Sequence, residues 1–212
     1  IKHDLRAPMK HLLTLFVFLD LDKLEDKQTQ EYIELLNSST SQMKNTIDKY
    51  VYAVTHEKKI NIEVQVLSLE DSLFMVLNSI NTLIQKSNTT FNVDFSEAPE
   101  INFSSFYLQS ILLNLISNSI KYCNPKTAPA ITIKSKKVNS GIQLKFSDNG
   151  IGFDMKKVGE SIFCLHQSFH NNGDSKGIGL YLVQSHMESL GGKIAVTSEV
   201  NVGTTFTLTF QD

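Results

Sequence analysis

The spacing of apolar residues changes near residue 56, and this change divides the chain into two parts that fold by different rules. In the first part, apolar side chains recur at alternating intervals of four and three residues, which is the seam of a coiled-coil helix. The first run comprises Leu5, Met9, Leu12, Phe16 and Leu19. After the polar stretch DLDKLEDKQTQ, a second run comprises Tyr32, Leu36, Met43, Ile47, Tyr50 and Val54. The pattern predicts an antiparallel helical hairpin over residues 1–56.

A single helical hairpin cannot bury its own apolar seam. Two hairpins usually solve this by pairing into a four-helix bundle, so residues 1–56 predict a homodimer. With the leucines of the first run at heptad position d, His3 falls at b and His11 at c, and both histidines face outward. Asp4 directly follows His3, whereas His11 has no carboxylate beside it.

Residues 57–212 mix helical and strand-like patterns. Helices are predicted over Leu69–Gln85, over 103–123 with Ser104 as the cap, and over 177–192, where glycines end the helix. Strands are predicted over 91–95, 131–138, 141–148, 193–200 and 204–210. Helices on one face of a mixed sheet form an α/β sandwich, so the chain as a whole is predicted to be of the α+β class.

Between residues 149 and 176 the sequence is rich in polar residues and shows little periodicity. Loops of more than about 12–15 residues without secondary structure are uncommon in compact domains and tend to be lids or binding loops. We therefore expect a lid over a ligand in this segment.

Composition bears on partners and location. The formal net charge of −2 gives no broad attraction for nucleic acid or an anionic membrane, and no apolar run approaches the ~20 residues that cross a bilayer. Cys123 and Cys164 lack metal or redox spacing, which favours free thiols in a reducing, cytoplasmic location. There is neither an initiator Met nor a signal peptide, so we expect a fragment whose upstream sequence can hold a membrane anchor.

The segment NLISNSIKY places polar groups on one face of a predicted helix. Asn114 and Asn118 are four residues apart, and Lys121 lies close to the same face. Amide oxygens can ligate Mg²⁺, and a lysine can pair with phosphate oxygens. The alternative is a polar helix face that simply meets water.

Two glycine motifs follow along the chain. In SDNGIGFD a strand ends at Asp148, which can accept a hydrogen bond from an exocyclic amine, and Gly150 and Gly152 let the backbone pass close to a flat ligand. In SKGIGLYLV, Gly177 and Gly179 open a helix whose first amides form an anion site. Each motif is weak alone, since the first also fits an ordinary turn.

Taken in order, the three motifs and the lid between them resemble the N, G1 and G2 boxes of the ATPase fold shared by gyrase, heat-shock chaperones, mismatch-repair ATPases and sensor histidine kinases. KHDLRAPMKHL resembles the H-box of histidine kinases, and GIGLYLVQSHMESLGGKIAVTSEVNVGTTFTLTF resembles their C-terminal region. The chain is thus similar to the core of hybrid and PAS-type two-component kinases. The resemblance implies a HisKA-type dimerisation and phosphoacceptor domain over residues 1–56 and an ATP-binding catalytic domain over residues 57–212.

The resemblance implies that this second domain binds ATP with Mg²⁺. Asn118 would bind the metal with support from Asn114, and Lys121 would contact phosphate. Tyr122 would line the nucleotide, and Asp148 would recognise the adenine amine. The remaining residues expected at the nucleotide or its lid are Gly150, Gly152, Phe163, Gly177, Gly179 and Leu180.

The resemblance also implies phosphorylation of His3, followed by transfer to an aspartate of a response-regulator receiver domain. Asp4 would orient the imidazole and take its proton as general base. Pro8 removes a helical hydrogen bond, so we expect a bend one turn past His3. Ala7 stands where kinases that dephosphorylate their partner carry Thr, Asn or Gln, so we expect weak phosphatase activity.

Two departures from the family pattern concern the lid. Ser175 stands two residues before Gly177, where the family often has another glycine, and His166 stands in place of the second aromatic residue of the F-box. A degenerate, nucleotide-binding dimeric scaffold without kinase activity is therefore the main alternative. A clamp of the gyrase or chaperone class is a third, but it leaves HDLRAP unexplained.

Overall fold

The computed structural model of the chain describes residues 62–164 and 179–211. These residues belong to a compact unit that spans Ile62–Asp212. The predicted hairpin with its dimer, and the residues His3, Asp4, Ala7, Pro8, His166, Ser175 and Gly177, lie outside the described residues. The predicted boundary at residue 56 stays a prediction.

The described strands form two sheets. In chain order the strands are β1 (Gln65–Ser68), β2 (Thr90–Asp94), β3 (Glu100–Phe103), β4 (Ala130–Val138), β5 (Gly141–Asp148), β6 (Lys193–Glu199) and β7 (Gly203–Phe210). The main sheet has the order β2-β4-β5-β7-β6, and β1 pairs with β3 in a separate two-stranded sheet. Within the main sheet β2 and β4 are parallel and the other pairs are antiparallel, so the predicted mixed sheet is confirmed.

The helices are α1 (Leu69–Ser79), α2 (Asn81–Ser87), α3 (Ser105–Lys121), α4 (Met155–Val158) and α5 (Gly179–Ser189), with a 3-10 turn over Gly159–Phe163. Alternate residues of the central strands are buried, as the period of two in a sheet with one covered face requires. α3 supplies one apolar stripe to this core, namely Leu108, Ile111, Leu112, Leu115 and Ile116. The sandwich predicted for this half of the chain is therefore observed.

The helix predicted over 69–85 is interrupted at one residue, and its second part, α2, continues to Ser87. Ile80 leaves the helical region, with φ −120° and ψ 21°, and separates α1 from α2. The hydroxyl of Ser79 donates to the carbonyl of Val76 at 2.7 Å, one of the local side-chain bonds that compete with a continuing helix. The apolar spacing carries no trace of this break.

The described part of the segment expected to be a structureless lid contains helical turns. Residues 155–163 form α4 and the 3-10 turn, and the carboxylate of Asp154 caps α4 by accepting the amide of Lys156 at 3.0 Å. Ser104 is the N-cap residue of α3, as predicted, and its carbonyl accepts the first helical bond from the amide of Leu108 at 2.9 Å, but its side chain makes no capping bond. The strand β3 was not predicted.

Candidate nucleotide-binding site

Asp148 ends β5, the central strand of the main sheet, where it lies opposite Ile131 of β4 and Thr204 of β7. Its Oδ1 accepts the amide of Gly150 at 2.9 Å and, more weakly, the amide of Thr204 at 3.3 Å. Its Oδ2 accepts the hydroxyl of Ser119, on α3, at 3.1 Å. Three segments that are distant in sequence therefore fix one carboxylate.

Burial raises the pKa of the Asp148 carboxyl above its usual 3.8, because the charged form loses solvation. The hydrogen bonds from Gly150, Ser119 and Thr204 act in the opposite direction, since each stabilises the anion. A buried carboxylate with matched donors is a recurrent feature of binding sites.

The loop after β5 is tied to the end of α3. The amide of Ile151 donates to the carbonyl of Tyr122 at 2.9 Å. A Cβ on Gly150 would lie 2.7 Å from the same carbonyl oxygen and 2.9 Å from Oδ1 of Asp148, so only glycine fits between them. This backbone contact places Tyr122 beside the Asp148 loop, and its expected place along the nucleotide stays a prediction.

Gly152 joins this loop to the turn between β6 and β7. Its φ is +57°, and a Cβ at this position would overlap the carbonyl oxygen of Glu199. The amide of Asn201 donates to the carbonyl of Ile151 at 2.8 Å, which closes the contact. The glycine therefore lets two backbones touch, and its expected part in the nucleotide site stays a prediction.

The paired asparagines of α3 face the first residue of α5. A Cβ on Gly179 would lie 2.9 Å from Oδ1 of Asn114 and 3.8 Å from Nδ2 of Asn118. Asn114 donates through Nδ2 to the carbonyl of Ser110 at 2.8 Å, and this bond orients its oxygen towards Gly179. The structure thus brings the N-box and the described part of the G2 box into contact.

Lys121 and Tyr122 lie at the C-terminal end of α3. The Lys121 side chain is exposed, with Nζ 5.6 Å from the centroid of the Tyr122 ring, within the range of a cation–π contact. A lysine held loosely at the surface can move onto an anionic group. Its predicted contact with phosphate stays a prediction.

The other described residues of the predicted site pack against the core. Phe163 is buried at the end of the 3-10 turn, and Leu180 is half-buried at the start of α5. Their predicted roles at the lid and nucleotide remain untested.

The donor atoms present suit magnesium that arrives with a nucleotide. Across residues 62–164 and 179–211 there is no cluster of three or more His, Cys, Asp or Glu side chains able to hold a metal. Mg²⁺ accepts amide and phosphate oxygens and keeps several waters, so it does not need such a cluster. Oδ1 of Asn114, oriented by its own amide bond, is an oxygen of the required kind.

Two side chains that fix the site were not singled out in the sequence. Asn149 accepts the amide of Ala130 at 2.8 Å and donates to the carbonyl of Ala128 at 3.0 Å, which anchors the start of β4 beside Asp148. Ser119 reaches Asp148 from α3 across 29 positions of sequence. An asparagine directly after a strand can be recognised in the sequence as a candidate for anchoring a loop, whereas a serine inside a helix has no such recognisable pattern.

The fold and the site together define a nucleotide-binding domain. A carboxylate lies at the end of the central strand, and a helix that begins with a glycine faces the two asparagines of α3. A family model described as histidine kinase-, DNA gyrase B- and HSP90-like ATPase matches residues 104–212. The chain belongs to this family, and its predicted resemblance to sensor histidine kinase cores is confirmed for the ATPase domain.

The relatives include the histidine protein kinase SaeS of Staphylococcus aureus. It is 26% identical over 216 residues, which cover 98% of this chain and 60% of SaeS. The chain therefore spans about three fifths of the length of this relative.

Solved structures show the same fold. Full-length ShkA in complex with AMPPNP matches with a TM-score of 0.77 at 20% identity, over 99% of this chain and 44% of ShkA. The histidine kinase ThkA in complex with the response regulator protein TrrA matches with a TM-score of 0.66 at 16% identity, over 99% of this chain and 59% of ThkA. In the described part of this chain, none of the helices has the length and apolar character needed to cross a membrane.

Proposed function

We propose that this chain is the catalytic core of a two-component sensor histidine kinase, which phosphorylates His3 from ATP and passes the phosphoryl group to a response regulator. The observation that carries the proposal is that one helix, α3, borders two adjoining half-sites. Near its C-terminal end lie Tyr122 and the Asp148 loop, and about one to two turns earlier Asn118 and Asn114 face Gly179.

The Asp148 half-site suits a purine base. A carboxylate between glycine-lined walls can accept a hydrogen bond from an exocyclic amine, and the close backbone contacts at Gly150 and Gly152 leave a flat surface beside it. The complex of ShkA with AMPPNP, an ATP analogue, supports a nucleotide in this fold.

The Gly179 half-site suits phosphates. The first amides of α5 carry the positive end of the helix dipole, and anions bind there readily. Asn118 and Asn114 would hold Mg²⁺ together with phosphate oxygens, and Lys121 would pair with the same anion. Bound magnesium would neutralise charge that develops on the phosphoryl group.

In the proposed reaction, a ring nitrogen of His3 forms a bond to the γ-phosphorus of ATP. The bond from that phosphorus to the bridging oxygen breaks, and ADP leaves with its electron pair. Asp4 takes the imidazole proton. Transfer of this kind needs mainly positioning and charge neutralisation, which are the tasks assigned to Asn118, Lys121 and the start of α5.

The second step moves the phosphoryl group from His3 to an aspartate carboxylate of a receiver domain. The structure of ThkA with the response regulator protein TrrA supports a partner of this class. We further propose that residues 1–56 form the homodimer and carry the docking surface for this partner. Cytoplasmic location belongs to the same proposal.

Incubation of the 212-residue chain with γ-labelled ATP tests this function. The kinase gives protein-bound label that is stable in alkali, labile in acid and lost in His3→Gln. His11→Gln is the matched control, since it removes a histidine predicted to face outward on the same helix. Bound ATP without label would instead indicate a scaffold, and steady release of free phosphate without label would indicate a clamp.

A further inference from the structure

Among the described residues of α3, Ser119 is the one whose side chain forms a hydrogen bond with the Asp148 carboxylate. It is 5% exposed and lies on the side of α3 that faces the sheet. A hydroxyl carries a single proton, yet two acceptors lie within reach of this one. The carbonyl of Leu115 is 3.0 Å away, and Oδ2 of Asp148 is 3.1 Å away.

The charge of the acceptors decides which bond forms. Hydrogen bonds to an ionised acceptor are roughly twice as strong as bonds between neutral groups, so the proton of Ser119 points to Asp148 while that carboxylate is ionised. The carbonyl of Leu115 is left with its intrahelical partner. A helical serine with only the carbonyl to bond would contribute nothing to the site.

Counting acceptor positions shows what this bond does. A carboxylate offers about four lone-pair positions. The amides of Gly150 and Thr204 occupy Oδ1, and the hydroxyl of Ser119 occupies one position of Oδ2. Among the described residues no donor approaches the last position, which lies on Oδ2. The carboxylate is thus held at both oxygens and can accept one further hydrogen bond from an N–H group.

We propose that Ser119 is a positioning residue for adenine recognition, because its hydroxyl fixes Oδ2 of Asp148 so that this oxygen accepts one N–H of the exocyclic amine. The proposal rests on the proposed function, since it takes Asp148 as the adenine-recognition residue. It assigns to Ser119 no contact with the phosphates and no part in phosphoryl transfer.

The proposal predicts a loss that depends on the 6-amino group of the nucleotide. We compare the binding of ATP with that of purine riboside triphosphate, which lacks only this amine, by titration calorimetry on the full chain. Ser119→Ala should weaken ATP binding about three- to tenfold, the scale of one lost hydrogen bond to a charged group. Binding of the analogue should change by less than about twofold, since it makes no bond to Oδ2.

Ser72→Ala is the matched control. Ser72 is 6% exposed, lies on α1, and donates to the carbonyl of Ser68 at 2.7 Å, four residues earlier, which is the spacing that also separates Ser119 from the Leu115 carbonyl. The substitution Ser72→Ala removes a buried helical hydroxyl that has no carboxylate partner. Thermal unfolding of both variants establishes that they remain folded, and Ser72→Ala should leave the preference for ATP over the analogue unchanged.

Asp148→Asn separates failure of this inference from failure of the proposed site. The two backbone donors at Oδ1 hold the amide oxygen there, so the amide nitrogen takes the place of Oδ2 and presents N–H groups to the base. Preference for ATP should vanish in this variant. If it does not, the adenine site assigned to Asp148 is wrong.

If Asp148→Asn loses the preference and Ser119→Ala keeps it in full, the adenine site stands and the role of Ser119 is overturned. Equal weakening of both nucleotides by Ser119→Ala also overturns it, because a purely structural role predicts that result. Selective loss of ATP binding supports it.

Discussion

The imidazole of His186 stacks on the ring of Tyr107, with centroids 4.1 Å apart and planes inclined by 16°. This contact joins α5 to α3, the two helices that carry the residues proposed to bind phosphate. Nε2 of His186 lies 3.2 Å from the hydroxyl of Ser110, and Nδ1 is buried without a hydrogen-bond partner. A titratable ring is thus placed in an almost wholly apolar setting, where its charged form has no counter-ion among these contacts.

The burial of His186 predicts loss of stability in mild acid. Desolvation lowers the pKa of this histidine from 6.5 to about 4. Between these two pH values the unfolded chain binds a proton here and the folded chain does not, so the free energy of unfolding falls as pH falls. From pH 7 to pH 5 the loss should be on the order of 1–2 kcal/mol.

Urea unfolding of the chain and of His186→Leu at both pH values measures this contribution. The variant removes the titrating group while keeping an apolar side chain, so its loss of stability over the same interval should be smaller by about the stated amount. Equal losses in the two proteins would show that His186 does not carry the effect.

Two glycines with positive φ give a second prediction, because they differ in the space around them. Gly152 (φ +57°) has no room for a Cβ beside the carbonyl oxygen of Glu199, whereas a Cβ on Gly159 (φ +51°) would meet nothing within 4 Å. Gly159→Ala should cost only the backbone strain, about 1–3 kcal/mol. Gly152→Ala should cost roughly 1–3 kcal/mol more, since two backbones must separate.

The same pair should differ in ligand binding. Separation of the Gly152 loop from the turn after β6 displaces the loop that follows Asp148, so ATP binding should weaken strongly in Gly152→Ala. Chemical denaturation and nucleotide titration of both variants check this, and Gly159→Ala should bind ATP nearly as the parent chain does. A stability loss of equal size in both would contradict the packing argument.

The main sheet and the long helix were predictable because their patterns are local. Alternation over 131–138 and 141–148 predicted β4 and β5, and α3 begins directly after Ser104. The residues of the candidate nucleotide site could be singled out only together, since their order along the chain, and not any single motif, distinguishes them from turns and polar surfaces.

Features decided by distant contacts were missed. β3 has only four residues and exists by pairing with β1, more than thirty positions earlier. The bond from Ser119 to Asp148 likewise depends on how α3 lies on the sheet. The break at Ile80 was missed as well, because the apolar spacing continues through it unchanged.

The raised pKa of Asp148 predicts how ATP binding depends on pH. The ionised carboxylate accepts the hydrogen bond of the amine more strongly than the protonated acid does, so binding should weaken as pH falls through a pKa that burial places above the usual 3.8. Purine riboside triphosphate should show a smaller dependence over the same range. Titrations of both nucleotides from neutral pH downward measure the difference. Parallel pH profiles would argue against a bond between Asp148 and the amine.

The contact between Gly179 and Asn114 predicts a variant that separates base binding from phosphate binding. In Gly179→Ala the new Cβ would lie 2.9 Å from Oδ1 of Asn114, so the amide must turn away from the start of α5. Alanine is a better helix former than glycine by about 1 kcal/mol. The free energy of unfolding should therefore change much less than the affinity for ATP. Affinity for ATP with magnesium should fall about tenfold, the scale of one lost ligand or charged hydrogen bond. Adenosine, which has no phosphate, should bind as it does to the parent chain, and a parallel loss for adenosine would show that the substitution disturbs the whole site.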